Sequence, residues 1–279
     1  KEKTYLSLRS HISKNTEKVN FGVLLSGGVD SSIISKICKD LGYTFRCFCV
    51  GIKGSKDLFY AKKISDFFNF DLVTKEFTIE EVEILLKEVI DILPKPVIVE
   101  DNYIEYIVKL TVSAVLLGSM KLGEEELFLS GIGAEELFAG YERHSKANDK
   151  GGIWRGLKIK NLKKESISGL KRMHNLVFER DKLICSYLSK SILAPYLADD
   201  VIIQAMNMDN LQKIDSSNNK KILREIALDI GIPTEFSKRK KTGAQYGSGF
   251  DKALLKLAKL NGFKLKKRYI EYLIKTRKS

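Results

Sequence analysis

The sequence predicts an α/β protein built on a doubly wound parallel sheet, with a mostly helical C-terminal region. Three observations carry that expectation. Short apolar runs of strand length alternate with segments of helical periodicity through the first half of the chain, the pattern of a parallel sheet covered on both faces. Three of those runs end in glycine-rich turns, "SGGVDSS" (26–32), "GIKGSKD" (51–57) and "SGIGAEELFAGY" (130–141). Beyond about residue 150 no strand stands out and the pattern reads as helices.

The elements follow in order. "TYLSLRSHIS" (4–13) reads as a leading helix, and Phe21, Val23, Leu24 and Leu25 as a buried strand. Ile33, Ile34 and Ile37 mark the apolar face of a helix over 31–41. "YTFRCFCVG" (43–51) is the next strand, followed by a helix over 56–68, a strand near 70–75, and a helix over 79–91 carried by Ile79, Val82, Leu85, Leu86 and Val89. "LPKPV" (93–97) breaks the pattern. A long helix over about 103–122 then feeds the strand "ELFLSG" (126–131), and helices are expected over 154–179, 180–190, 199–207, 219–230, 250–260 and 264–276. Residues 1–150 are expected to form the α/β core, and residues 151–279 a helical part of the same domain that folds back over its edge.

Composition narrows the class. A chain of 279 residues with 44% hydrophobic content can bury a full core. The longest candidate segment, Val112 to Leu117, is interrupted by Ser113 and bounded by Lys109 and Lys121, far short of the ~18 residues of a membrane span. The opening "KEKTYLSLRS" lacks the apolar stretch of a secretory signal. The four cysteines form no C-x-x-C pair and no zinc pattern, and Cys47 and Cys49 share one face of a strand. They read as core thiols of a cytoplasmic protein. The net charge of +13, concentrated in "KRKK" (238–241) and in 264–279, admits nucleic acid or polyphosphate as a partner. A lysine-rich solvated surface explains the charge as well, and is favoured.

The chemistry lies at the glycine turns. Strand, glycine-rich turn and helix N-terminus together present backbone N–H groups to an anion. In open parallel sheets, ligands sit beyond the carboxyl ends of the strands, so neighbouring strands would bring the three turns to one crevice. Two common nucleotide signatures are excluded: there is no G-x-x-x-x-G-K-[ST] and no complete G-x-G-x-x-G at these turns.

"SGGVDSS" resembles the S-G-G-x-D-S loop of the PP-loop ATP pyrophosphatases, which have an adenine-nucleotide α-hydrolase-like fold. "LSGIGAEELFAGYERH" (129–144) resembles the L-S-G-x-G-A-D-E-L-F-G-G-Y segment of glutamine-dependent asparagine synthetases and the related β-lactam synthetases. "VGIKGSKDLFYAKKISDFF" (50–68), "APYLADDVIIQAMNM" (194–208) and "KKILREIALDIGIPTEFSKRKKTGAQYGSG" (220–249) resemble further blocks of that family, in order along the chain from about residue 5 to 260.

The resemblance implies activation of a carboxylate by ATP as an acyl-adenylate, followed by attack of an amine. It implies that Ser26, Gly27, Gly28, Ser31 and Ser32 cradle phosphates, and that Asp30 and Glu135 hold Mg²⁺, Glu135 standing where the family has Asp. Leu25, Val50 and Gly51 would border the adenine, with Asp57, Gly131 and Gly133 completing the nucleotide-binding set. Lys241 would neutralise phosphate charge during catalysis, with Lys238 and Lys240 contributing little, and Glu100 would line the second-substrate pocket. The implied partners are a small carboxylate and ammonia or another amine, with a separate glutaminase possible in place of the family's glutaminase domain.

The chain also departs from the family. Ile132 occupies a slot that is acidic in asparagine synthetases and Tyr in β-lactam synthetase, and it can neither accept a proton nor hydrogen-bond. Leu193 and Ala198 replace the Arg and Asp of R-x-P-F-L-D, although Asp199 can substitute by a shift. The adenylating half is therefore intact and the acceptor half rebuilt. Two alternatives stay open: a nucleotide-binding subunit without amidation activity, and a PP-loop RNA-modifying enzyme. The latter usually carry reactive cysteine pairs or a lysidine-type tail and lack G-A-[DE]-E-L-F.

Overall fold

A computed structural model describes residues 1–17, 19–94, 103–147, 151–154, 156–215, 218–240 and 242–277. Helix α1 (Glu2–Thr16) precedes β1 (Phe21–Leu24), α2 (Val29–Asp40), β2 (Arg46–Ile52), α3 (Lys56–Phe68), β3 (Asp71–Phe77) and α4 (Ile79–Ile92). Then come α5 (Tyr103–Met120), β4 (Leu127–Leu129), the single turn α6 (Ala134–Leu137), a hairpin of β5 (Gly152–Trp154) and β6 (Leu157–Ile159), α7 (Leu162–Met173) and α8 (Glu179–Leu188). Strand β7 (Ser191–Leu193) is followed by α9 (Asp199–Asn207), α10 (Asn210–Lys213), α11 (Lys221–Asp229), α12 (Thr234–Ser237), α13 (Ala244–Gly247), α14 (Phe250–Leu260) and α15 (Lys266–Thr276).

Five strands form one parallel sheet in the order β3-β2-β1-β4-β7. The chain starts at the centre, winds outward through β2 and β3, then crosses to β4 and β7 on the other side. The winding reverses between β1 and β4, where Val23 pairs with both Cys47 and Leu129. This is the doubly wound α/β class that the sequence predicts, and the reversal is where such sheets open a crevice for ligands.

Both faces of the sheet are covered, and β2 shows why its sequence is continuously apolar. Cys47 and Cys49 point into the layer containing Leu8, Ile12, Ile33, Ile37 and Leu223. Phe48 and Val50 point into the opposite layer, with Leu86, Leu110, Leu117 and Leu254. Between them, Gly22 of β1 leaves room for aromatic packing: a Cβ there would lie 2.6 Å from the Phe48 ring, which sits 5.3 Å from the Phe128 ring, centroid to centroid. Local signals set the helix ends. The α4 N-terminus is closed by a capping box in which Thr78 Oγ1 accepts from Glu81 N–H and the Glu81 carboxylate accepts from Thr78 N–H. Ser55 caps α3, and Asn69 ends it in the left-handed conformation at φ 52°.

The expectation that no strand lies beyond about residue 150 needs correction. β7 extends the sheet beside β4, and β5–β6 form an antiparallel hairpin where a helix over 154–179 was expected. Each of these strands is three residues long, too short to display a period of two, and β7 is held by backbone pairing that side-chain identity does not report. The hairpin turns at Gly156 with φ +79°, a conformation that ends any helix there. Residues 174–178 form a π-helical turn between α7 and α8.

All four cysteines are free and buried, and burial pushes the Cys47 thiol up to about 12. Several late basic residues face acids, in the pairs Lys266–Asp251, Arg268–Glu271 and Arg277–Asp91. Among the described residues, no helix is long and apolar enough to cross a membrane.

Gly27 adopts φ +68°, and a Cβ there would sit 2.5 Å from the Tyr60 carbonyl carbon of α3. Left-handed strain of about 1–2 kcal/mol and overpacking of about 1–3 kcal/mol act together at this position. Gly27→Ala is expected to lower unfolding free energy by about 2–5 kcal/mol in urea denaturation.

Candidate functional site

The first glycine turn is braced by its own serines. Ser26 N–H donates to Ser31 Oγ at 3.3 Å, Gly28 N–H donates to Ser26 Oγ at 3.4 Å, and Ser32 Oγ donates to the Gly28 carbonyl at 2.8 Å. Gly28 is the N-cap of α2 in extended conformation. The N–H groups of the first helical turn have no partner within the helix and carry its positive dipole end.

Asp30, on that first turn, meets two residues from distant parts of the chain. Lys220 Nζ donates to Asp30 Oδ2 at 2.6 Å and to Glu135 Oε1 at 2.5 Å. All three side chains are buried, with Lys220 only 2% exposed. Lys220 also holds φ 56° and ψ 36°, a left-handed conformation that costs a non-glycine residue about 1–2 kcal/mol. A glycine would relieve that strain but bring no ammonium, so the side chain is what the position retains. The surroundings are shaped to the trio. A Cβ at Gly140 would fall 1.7 Å from Glu135 Oε2 and 2.3 Å from Lys220 Cε. Asn219 Nδ2 donates to the Gly140 and Tyr141 carbonyls at 3.3 and 3.2 Å. From below, the fully buried Tyr196 donates its hydroxyl to the Asp30 carbonyl at 3.1 Å.

A second ion pair closes the other side of the turn. Arg239 Nη2 donates to Asp57 Oδ1 at 2.6 Å, Nη1 donates to the Ser26 carbonyl, and the guanidinium lies over the Tyr60 ring at 4.3 Å from its centroid. Gly247 lets the Asp57 carboxylate lie against its backbone, where a Cβ would be 2.3 Å from Oδ2.

Two cavities share this boundary, both lined by Ser26, Asp30, Asp57, Gly140 and Glu142. One, of about 570 Å³, is highly charged, with Lys220, Arg224, Lys238, Arg239 and Lys240 in its wall beside Gly28 and the carboxylates of Asp30, Asp57, Glu142 and Asp215. The other, of about 560 Å³, is lined mainly by Leu24, Leu25, Phe48, Val50, the second face of α5 and the turn at Gly131–Gly133.

With this geometry in place, the chain can be set beside known proteins. The asparagine synthase family profile matches residues 8–188 and 192–269. The chain belongs to the asparagine synthase family. A putative asparagine synthetase [glutamine-hydrolyzing] 1 of Methanocaldococcus jannaschii is 28% identical over 97% of this chain and 54% of its own length. Asparagine synthetase [glutamine-hydrolyzing] 2 of Oryza sativa is 30% identical over 68% of this chain and 32% of its own length. The chain thus spans about half or less of these relatives. A solved NMN synthetase from Francisella tularensis aligns with 78% of this chain and 98% of its own at 11% identity and a TM-score of 0.35, too weak a likeness to carry an argument.

Within this asparagine synthase domain, the sequence-derived residues separate into two groups. Leu25, Ser26, Gly28, Asp30, Ser31, Val50, Asp57, Gly131, Gly133 and Glu135 line the cavities. Gly27, Ser32 and Gly51 do not appear in the lining. Gly27 serves the packing of the turn on α3. Ser32 is turned back to the Gly28 carbonyl. Gly51 admits Ser55 and the Ser248 carbonyl, 2.2 and 2.9 Å from where its Cβ would be. Lys238 and Lys240, expected to be bystanders, stand in the basic wall. Glu100 and Lys241 lie outside the described residues.

Sequence reasoning missed Lys220, Arg224 and Arg239. The first two are two of the three cations of "KKILR" (220–224), a block that was legible as a resemblance and silent about where its charges point. Arg224 donates from Nε to the Asn219 carbonyl at 2.6 Å and from Nη1 to the Ser237 carbonyl, fixing both flanks of the basic cavity. Asp30 and Glu135 together form a hard-oxygen pair converging on one cationic point, the donor chemistry that suits Mg²⁺. The ammonium that now bridges them marks that point.

A third cluster supports the wall behind Glu135. Tyr141 Oη donates to Glu136 Oε1 at 2.5 Å, and Tyr141 N–H donates to His144 Nδ1 at 3.4 Å, so the neutral imidazole carries its proton on Nε2. Burial raises the Glu136 carboxyl above its ordinary range and, with the Arg143 charge, lowers His144 to about 3.

Removing the shared ammonium leaves two buried carboxylates facing each other. Lys220→Met is expected to cost about 3–5 kcal/mol of unfolding free energy at neutral pH, measured in urea. His144 makes a separate prediction. Its folded-state value lies below the unfolded one, so the unfolded chain binds the extra proton first, and stability falls as pH drops from 6.5 towards 3. The contribution is at most about 1.4 kcal/mol per pH unit. Glu136, raised by burial, acts with the opposite sign just above its ordinary value, so the test is a difference: His144→Gln should flatten the pH–stability slope in this window relative to the unaltered chain.

Proposed function

We propose that the chain is an ATP-dependent, AMP-forming carbon–nitrogen ligase that activates a carboxylate and passes the acyl group to an amine. The observation that carries this reading is the meeting of a cation-walled cavity and an apolar cavity at Ser26, Asp30 and Asp57. A nucleoside triphosphate has that division of character, with an apolar base at one end and polyanionic phosphates at the other.

The adenine would lie against Leu25 and Val50, with the nucleotide passing Gly131 and Gly133. The β- and γ-phosphates would take the N–H groups of the first turn of α2, together with Ser26 and Ser31. Arg224, Lys238 and Lys240 add positive charge on the basic side, beside Lys220 and Arg239, which are already paired with carboxylates. In the first step a carboxylate oxygen bonds to the α-phosphorus while the bond from it to the bridging oxygen breaks, and pyrophosphate leaves with that electron pair. In the second step an amine nitrogen adds to the acyl carbon, AMP leaves, and the nitrogen sheds a proton. Asp30 and Glu135 would hold Mg²⁺, which when bound supplies charge that offsets the leaving pyrophosphate.

Lys241 is proposed to stabilise the charge that develops on pyrophosphate as the bond breaks, and Glu100 to line the acceptor side. Ile132 offers no proton acceptor at the turn it occupies, so the amide step must use another group. The relatives' names describe glutamine hydrolysis, and by extension ammonia here would come from a glutaminase in the same or another chain. The ion pairs Lys266–Asp251, Arg268–Glu271 and Arg277–Asp91 commit part of the late basic charge to acids, which does not favour the RNA reading.

With Mg²⁺ and an accepted acid, ATP labelled in the α-phosphate should yield AMP, and label in the γ-phosphate should yield pyrophosphate. ADP and orthophosphate as sole products would overturn the proposal. Lys241→Met should slow adenylation by about 10²–10³ while ATP affinity stays within about tenfold, because the charge it meets appears mainly in the transition state.

A further inference from the structure

The apolar cavity has a second wall that the nucleotide does not account for. It is built by α5, by the turn at Gly131–Gly133 and by the α7–α8 segment, with α5 packed directly on α8. Val108, Val112, Ile132, Met173 and Val177 present its apolar surface. Val177 belongs to the π-helical turn, a local widening that recurs at functional sites.

The polar groups of this wall are already committed to one another. Glu136 accepts the Tyr141 hydroxyl at 2.5 Å. Arg180 donates to Asp181 Oδ1 from Nε at 2.7 Å and from Nη2 at 2.6 Å, with both side chains at most 10% exposed. Among the described residues lining this cavity, Arg180 is the only Lys, Arg or His, and its adjacent carboxylate neutralises it. A substrate bearing a second carboxylate would therefore bury that charge beside Glu136 and Asp181 without a cation to receive it. An uncompensated buried charge is one of the most costly arrangements in a protein interior. An apolar substituent placed on the same wall gains about 0.8 kcal/mol for each methylene removed from water.

We infer that the acid activated at this site is a monocarboxylate with an uncharged, apolar body, and that an acidic amino acid is disfavoured. The specificity-determining surface is the valine face of α5 together with Ile132, Met173 and Val177, which line the same cavity. This inference rests on the adenylation proposed above, so its test separates the two.

ATP–pyrophosphate exchange reports adenylation without requiring any amine. The full chain would be assayed with 4-methylpentanoate, hexanoate and phenylacetate against aspartate, glutamate and succinate, and binding of a non-hydrolysable ATP analogue with Mg²⁺ would be measured calorimetrically in parallel. The expected result is nucleotide binding and exchange at least about 100-fold faster with one or more apolar acids than with any of the dicarboxylates. Nucleotide binding with faster exchange on aspartate, glutamate or succinate would overturn the inference and leave adenylation standing. Nucleotide binding with no exchange on any acid would also overturn it. Absence of nucleotide binding would remove the adenylation reading and the inference with it. Val112→Lys should lower exchange on the preferred apolar acid at least about tenfold while leaving binding of the ATP analogue unchanged. An unchanged acid preference in a folded Val112→Lys chain would show that this wall does not meet the substrate.

Discussion

One buried ammonium organises the site. Lys220 lies between Asp30 and Glu135, and without it two carboxylates from neighbouring turns would face each other away from water. The attraction is strong because the surroundings are dry, and the arrangement is tolerable for the same reason only while the pair of acids shares a cation. Much else follows from that contact. It sets the turn after β4 against the turn after β1 and draws the start of α11 over both. It forbids a side chain at Gly140 and makes a left-handed lysine worth its strain. Where nucleotide and metal bind as proposed, the ammonium is the group that must make room, so the carboxylates are kept converged on a cationic point before any ligand arrives.

The fold was legible wherever a segment was long enough to show its period. Strands β1 to β4 and helices α1 to α5 sit close to their expected positions, because buried parallel strands and amphipathic helices leave distinct patterns. Helices α9 and α14 coincide with the expected spans. β7 was invisible, since Ser191–Leu193 joins the sheet through backbone groups that any three residues possess. The site was half legible for a related reason. A motif specifies which residue types sit near one another in sequence, and so it points to Asp30, Glu135 and the glycines. It does not say which way each points: Ser32 faces its own helix, Gly51 faces Ser55, and Gly27 packs on Tyr60. Lys220 and Arg239 needed the fold, since nothing local distinguishes a lysine aimed inward from the other lysines around it.

Tyr196 occupies the aromatic slot of the "APYL" block and adds a hydroxyl that donates to the Asp30 carbonyl. That bond steadies the first turn of α2. On the wall near Ile132 the cavity-lining groups Glu136–Tyr141 and Arg180–Asp181 satisfy one another by hydrogen bonds.

The distances along the chain between the site's partners bear on how the protein is made. Asp30 and Lys220 are 190 residues apart, Asp57 and Arg239 are 182, and Ser26 and Arg239 are 213. Contacts this remote contribute nothing until the loop between them has closed, and chains rich in such contacts fold slowly. During synthesis, the acids at positions 30, 57 and 135 are made well before Lys220 and Arg239 and meet these cations only once the later residues have followed. Until then the charge of those carboxylates falls to counterions from solution, which do temporarily what Lys220 and Arg239 do afterwards.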